Sequence, residues 1–176
     1  MAAPARVDPM IGQEVGGYRL EHRIGEGAIG IVYAGRKETG KVAAVKVVRP
    51  ELAGDQRYAM TVIAEARAVS TIGHPGIVQI FDLGLLSDGR PFLIMELIDG
   101  QSLEDLLGYG PMEPDDALEI LEDLFAALDA AHRKNVLHRD IKPANIYLTG
   151  DSTGRRVVKL LDFGLARLNF APGAAA

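Results

Sequence analysis

The sequence contains no cysteine, which removes disulfide frameworks, thiolate metal sites and thiol redox chemistry at once. No stretch of 18 uncharged apolar residues occurs, so there is no candidate membrane span, and residues 1–15 hold no apolar run long enough for a secretion signal. Blocks of Lys or Arg are also missing. With 19 basic against 24 acidic residues the formal net charge is -5, which argues against nucleic acid or an anionic membrane as the main partner. No internal repeat is found. These absences point to a soluble, cytoplasmic chain whose charged side chains act singly. Apolar material is plentiful at 48% of 176 residues, enough for one domain or two small lobes.

Along the chain, residues 1–16, with Pro4 and Pro9, read as a flexible leader. Apolar alternation from Tyr18 through Ile24, then Ile31 to Tyr33, then Val42 to Val48 predicts three antiparallel strands. The recurrence of Met60, Ile63, Val69 and Ile72 predicts a helix over 56–72, ended by His74-Pro75-Gly76. Two more strands are expected over 77–85 and 92–97. Beyond Asp99-Gly100 the pattern turns helical, with a short helix over 103–107 and a long one over 114–134. The stripe of the long helix is Leu118, Leu121, Leu124, Phe125, Leu128 and Ala131. Short strands follow over 145–148 and 157–161. The Ala-rich end, 171–176, carries no structural signal and is expected to be disordered. The class is α+β: a mainly β region over 17–98 and a mainly helical one over 99–170.

Gly25-Glu26-Gly27-Ala28-Ile29-Gly30-Ile31-Val32 has the spacing at which bare backbone N–H groups can approach phosphate oxygens. Alone it is a weak signal, shared with dinucleotide-binding folds. In those a helix follows the third glycine, whereas here a β-branched strand does. Ala44-Val45-Lys46 strengthens it. Alternation puts Ala44 and Lys46 on one face of their strand, and a lysine between Val45 and Val47 is costly to bury unless its charge is paired. Glu65, on the following helix, is the available partner; an ordinary exposed glutamate is the plain alternative, and Glu65 gains weight only through Lys46.

The most informative stretch is His138-Arg139-Asp140-Ile141-Lys142-Pro143-Ala144-Asn145, a segment that Pro143 keeps from becoming a helix. Asp162-Phe163-Gly164 comes 17 residues beyond Asn145, after the apolar strand that includes Leu160 and Leu161. Asn145 and Asp162 are the hard oxygen ligands that Mg²⁺ prefers, in the small number it takes from protein when phosphates supply the rest.

In this order and approximate spacing, the glycine loop, Ala44-Val45-Lys46, Glu65, the 138–145 segment and Asp162-Phe163-Gly164 resemble the eukaryotic-like bacterial serine/threonine protein kinases. The resemblance implies the protein kinase fold, with an N-terminal lobe of a five-stranded antiparallel sheet plus one helix and a mainly helical C-terminal lobe. It implies ATP and Mg²⁺ as cofactors and a protein Ser or Thr hydroxyl as acceptor. Asp140 would take the hydroxyl proton, Lys142 would steady the transferring phosphoryl group, and Asn145 and Asp162 would hold Mg²⁺. Lys46, paired with Glu65, would hold the α and β phosphates; Arg139, which in the family pairs with a phosphorylated activation loop, is expected to have no such loop to meet. Ile24, Gly25, Glu26, Gly27, Gly30, Val32 and Ala44 would line the nucleotide. Met95 would guard the back of the pocket, Glu96 and Ile98 would meet the adenine edge through backbone groups, and Tyr147 would lie under the base where the family usually has leucine.

Only 12 residues, 165–176, follow Asp162-Phe163-Gly164, without an Ala-Pro-Glu motif, so an incomplete C-terminal lobe is expected. Two consequences are expected with it: a complementary chain covering the exposed face of the long helix, and, as the alternative to an active kinase, an inactive fragment that binds ATP or a partner without transferring phosphate.

Overall fold

The structure is a computed structural model that describes residues 8–52, 55–150 and 154–163. The disordered-tail expectation for 171–176, the first seven residues of the expected leader and Gly164 lie outside the described residues. The chain divides into two compact units, residues 1–59 with 79–98, and residues 60–78 with 99–176. The second unit thus takes in 60–78, which the sequence reading placed in the first.

The first unit is built on one antiparallel sheet. Its strands are β1 (Glu14–Val15), β2 (Tyr18–Glu26), β3 (Gly30–Arg36), β4 (Val42–Val48), β5 (Ile80–Leu85) and β6 (Pro91–Met95), in the order β1-β2-β3-β4-β6-β5. The sheet has six strands, one more than expected, because residues 14–15 pair with 18–19. Gly16 and Gly17 make that hairpin possible: both have positive φ, the conformation a two-residue turn matching the strand twist requires. Val15, Tyr18, Leu20, Tyr33, Ala43, Val45, Val47, Phe92 and Ile94 pack on one face as the core, with Met10 from the preceding segment.

Residues 8–16 are therefore structured, against the expectation of a flexible leader. Beyond the burial of Met10, Asp8 pins them. Its carboxylate accepts from the Met10 N–H (2.9 Å), from the Tyr33 hydroxyl (2.9 Å) and from Arg23. Burial pushes the Asp8 carboxyl up, but these three hydrogen bonds outweigh it and the net shift is down. Burial and donation to Asp8 push the Tyr33 phenol up to about 12. The folded state then keeps a proton that an unfolded tyrosine loses near pH 10, so stability falls as pH rises from 10 towards 12. The expected loss is about 2–3 kcal/mol. Denaturant melts at pH 9 and at pH 11.5 should show it for the wild type and show much less of it for Tyr33→Phe; equal losses would contradict the assignment.

Helix α1 (Gln56–Ser70) begins at Asp55, whose Oδ1 accepts from the N–H groups of Arg57 (2.8 Å) and Tyr58 (3.4 Å) as an N-cap. Its buried face is Ala59, Val62, Ile63, Ala66 and Val69, while Met60, expected on that face, points to solvent.

The second unit has a three-stranded sheet, β7 (Gly100–Ser102), β8 (Ile146–Gly150) and β9 (Arg156–Leu160), in the order β7-β8-β9. Against it pack α2 (Leu103–Gly108) and α3 (Pro114–Arg133). Ser102 caps α2 by accepting from the Asp105 N–H (3.0 Å). Helix α3 ends with Asn135 at positive φ and the Val136 N–H donated back to Ala131 O (3.0 Å), a left-handed stop. The buried residues of α3 are Ile120, Leu124, Ala127 and Ala131. Leu118, Leu121 and Phe125 of the expected stripe are exposed, Phe125 by 61%. Helix α3 is apolar on more than one face, and the face that is buried is the one whose alanines allow close approach. Among the described residues, no helix is long and apolar enough to cross a membrane.

Candidate active site

In the first unit the strand register assembles one sheet face. Residues directly opposite in antiparallel strands share a face, and the pairs are Gly25 with Val32, Val32 with Lys46, Ala44 with Met95, and Lys46 with Leu93. Val32, Ala44, Lys46 and Met95, predicted from separate motifs, therefore lie together on the face opposite the core. Lys46 is 6% exposed and stands opposite Val32 and Leu93 in the ladder, a setting in which a charge must be paired. Ile24 sits in the irregularity between Arg23 and Gly25 and is exposed.

The glycine loop joins β2 to β3. Its tip is closed by the Gly27 N–H donated to Gly30 O (2.9 Å). The three glycines differ in what they are for. A Cβ at Gly30 would stand 2.5 Å from Val47 O, so close strand approach demands glycine there. Gly25 and Gly27 have ordinary φ, and the nearest atoms to an added Cβ are 3.8 and 4.0 Å away. Neither conformation nor packing requires glycine at 25 and 27, so what glycine provides there is the absence of a side chain between the loop and a ligand, which fits phosphate. The Glu96 N–H is already donated to Gln79 O (2.9 Å) and its Oε1 accepts from the Gln79 N–H (2.8 Å). A hydrogen bond from Glu96 to an adenine edge would thus use its carbonyl. Ile98 lies just beyond β6, half-buried.

In the second unit, residues 138–145 form an irregular segment whose last three residues, Pro143–Asn145, make one 3₁₀ turn. Its geometry follows from His138, which is 2% exposed. The Asp140 N–H donates to His138 Nδ1 (3.2 Å), so Nδ1 must be the unprotonated nitrogen and Nε2–H donates to Leu161 O (2.7 Å). Burial, opposed by the Leu161 carbonyl and the carboxylates of Asp140 and Asp162, holds this imidazole below the usual histidine pKa and keeps it neutral. The ring also packs on Phe163 with centroids 4.6 Å apart. One neutral histidine thus ties the Asp140 loop to the strand end that carries Asp162. The sequence reading assigned it no role.

Asp140 is held from two sides. Asn145, 7% exposed, donates from Nδ2 to the Asp140 carbonyl (2.8 Å) and to its Oδ2 (3.0 Å), and Lys142 Nζ lies 2.8 Å from the same Oδ2. Because both Asn145 contacts need a donor, its Oδ1 is the atom left for a cation. The pairing of Ile146 with Leu160, and the Leu161 N–H donated to Asn145 O (2.9 Å), bring Asn145 and Asp162 to neighbouring strand ends. Asp162 is exposed, with φ at 53°. Among the described residues no group of three or more His, Cys, Asp or Glu could hold a metal alone. A single carboxylate plus an amide oxygen suits Mg²⁺ shared with phosphates.

The Arg139 guanidinium donates to Glu65 Oε1 (3.0 Å), which places Glu65 beside the 138–145 segment. The two residues and Phe163 line a small cavity of about 110 Å³. Tyr147 lies on β8, half-buried, opposite Ser102; burial and the carboxylates of Asp105 and Asp162 push its phenol up.

Residues 18–173 match the family described as the protein kinase domain. The chain belongs to the protein kinase family. It is 41% identical over 162 residues to the serine/threonine-protein kinase Pkn1 of Myxococcus xanthus, covering 92% of this chain and 23% of that protein. To the serine/threonine-protein kinase PknD of Mycobacterium tuberculosis it is 38% identical over 167 residues, covering 94% and 24% respectively. The chain spans about a quarter of the length of these curated relatives. Among solved structures, the crystal structure of the Mycobacterium tuberculosis PknI kinase domain matches with a TM-score of 0.76 and 29% identity, over 89% of this chain and 63% of that one. The kinase fold read from the motifs is therefore the observed one, and the bacterial serine/threonine branch is the one it is most like in these comparisons.

Proposed function

We propose that this chain carries the ATP- and Mg²⁺-handling groups of a protein serine/threonine kinase of the cytoplasm, which transfers the γ-phosphoryl group of ATP to a Ser or Thr hydroxyl of a protein. The observation that carries the proposal is the setting of Asp140, whose Oδ2 is fixed by Asn145 and lies against the Lys142 ammonium. Bound Mg²⁺-ATP supplies the electrophilic phosphorus and the cation that offsets phosphate charge. Asp140 takes the proton of the acceptor hydroxyl as its oxygen bonds to phosphorus and ADP leaves. Lys142, on the same carboxylate, is positioned to neutralise charge on the transferring group. Asn145 Oδ1 and Asp162 would hold Mg²⁺, and Lys46 would hold the α and β phosphates as a point charge. Ile24, Gly25, Gly27, Val32, Ala44 and Met95 would enclose the nucleotide, with Glu96 and Ile98 on the adenine edge and Tyr147 under the base. Glu65 stays in the site through Arg139, which it holds beside the Asp140 loop. A fragment that binds ATP and transfers nothing is the less favoured reading, since the relatives named above are serine/threonine-protein kinases. They lend no support to a complementary chain on α3.

A thermal melt of the chain tests nucleotide use. At a hundred times its dissociation constant, Mg²⁺-ATP adds about 2.7 kcal/mol, a rise of several degrees in Tm for a domain of this size. The rise should shrink in Lys46→Ala and in Asp162→Ala. A cooperative melt that Mg²⁺-ATP leaves unmoved in the wild type would contradict the proposal.

A further inference from the structure

Arg49 directly follows β4 and holds the glycine loop at three acceptors. Its N–H donates to Ile29 O (2.8 Å), its Nε donates to Gly27 O (3.1 Å), and a terminal guanidinium nitrogen donates to the Glu26 carboxylate. Glu26 also accepts from Arg23 (3.1 Å), which is itself held by Asp8. Glu26 was expected among the nucleotide-lining residues; its carboxylate is engaged by these two arginines, which leaves its backbone for that role.

The loop has no large buried side chain at 25–28 to set its shape, so polar contacts must do so. The contact at Gly27 has a directional consequence. In a trans peptide the C=O and the following N–H point opposite ways, and the chain contains no cis peptide among the described residues. Drawing Gly27 O towards the Arg49 guanidinium therefore aims the Ala28 N–H away from it. A reversed peptide would present a carbonyl where an anion needs a donor. A guanidinium can reach a carbonyl and a carboxylate together because its donors form a planar fork, which the point charge of lysine does not provide.

We propose that Arg49 is a positioning residue that latches the glycine loop with the Ala28 N–H facing the triphosphate, so that its side chain governs affinity for the phosphates and leaves affinity for the base unchanged. The proposal rests on the reading of the glycine loop as a phosphate cradle.

The test compares wild type, Arg49→Ala and Arg49→Lys in the full chain. Calorimetric titration with Mg²⁺-ATP and with adenosine is paired with amide hydrogen exchange at Gly27, which needs no nucleotide. In Arg49→Ala, Mg²⁺-ATP affinity should fall about tenfold, as for a lost charge-assisted contact, with adenosine affinity held within about twofold. Gly27 exchange should be about tenfold faster with the latch removed. Arg49→Lys should recover neither, and it carries the same comparison should Arg49→Ala fail to melt cooperatively. Unchanged ATP affinity, or equal weakening of ATP and adenosine, overturns the proposal. Unchanged Gly27 exchange overturns it as well. A wild-type chain that binds no Mg²⁺-ATP overturns the cradle reading, and the proposal with it.

Discussion

Replacing Asp140 with Asn should lower phosphotransfer by about 10²- to 10⁴-fold, the range a general base contributes, while Mg²⁺-ATP still binds. The asymmetry follows from the contacts. Asp140 Oδ2 receives Asn145 Nδ2 and sits 2.8 Å from Lys142 Nζ, so this oxygen is fixed by groups of the protein itself. An asparagine there is isosteric but cannot accept a proton at neutral pH. Its amide would have to turn its oxygen towards Asn145 and Lys142, leaving an NH₂ group facing the acceptor hydroxyl. Folding should survive, because the Asp140 N–H to His138 and the Asp140 carbonyl to Asn145 are backbone contacts. Phosphotransfer rates and ATP affinities measured side by side decide the matter. Equal losses in both would mean that Asp140 serves binding, and an unchanged rate would remove it from the chemistry.

Asn145→Ala should cost as much or more, because Asn145 has two roles. Its Nδ2 orients Asp140, and its Oδ1 is the atom proposed for Mg²⁺. Removing it takes a donor from the half-buried Asp140 carbonyl and one of the two contacts that fix the Asp140 carboxylate. The expected rate loss is about 10²- to 10⁴-fold, accompanied by a higher Mg²⁺ requirement, a pairing that a purely structural defect would not produce. Asn145→Asp separates the roles. It keeps a cation ligand but sets a carboxylate where Nδ2 stood 3.0 Å from Asp140 Oδ2. Like charges at that distance raise the pKa of one of the pair, so activity should reappear only at higher pH or higher Mg²⁺. A pH profile for Asn145→Asp identical to that of wild type would contradict this arrangement.

What could be read from the sequence was the chemistry that permits few substitutes. A lysine on an apolar strand, an aspartate and an asparagine five residues apart across a proline, and an aspartate at a strand end are each costly or conspicuous. Their order resembles that of the eukaryotic-like protein kinases. The connecting geometry was less visible. Strand β1 is two residues long and has no periodicity to detect, so the clamp of Asp8 on Tyr33 was hidden within an apparent leader. Helix α3 carries Leu118, Ile120, Leu121, Leu124 and Phe125 around more than one side. The choice of Ile120, Leu124, Ala127 and Ala131 as the buried face depends on how closely small residues let β9 approach, which hydrophobicity alone does not encode. His138 and Arg49 act through the backbone carbonyls of Leu161 and Gly27, and carbonyl acceptors have no sequence signature. Arg139 presents the reverse case. It was expected to have no activation loop to meet, and among the described residues it meets Glu65.

The most direct test of the central claim is mass-spectrometric mapping of phosphate after the chain is incubated with Mg²⁺-ATP and a serine- and threonine-rich protein, alongside Asp140→Asn. The structure predicts phosphate on Ser or Thr of the added protein or of the chain itself, lost in the variant. Phosphate that persists undiminished in Asp140→Asn, or a wild-type chain that binds Mg²⁺-ATP and transfers nothing, would contradict it.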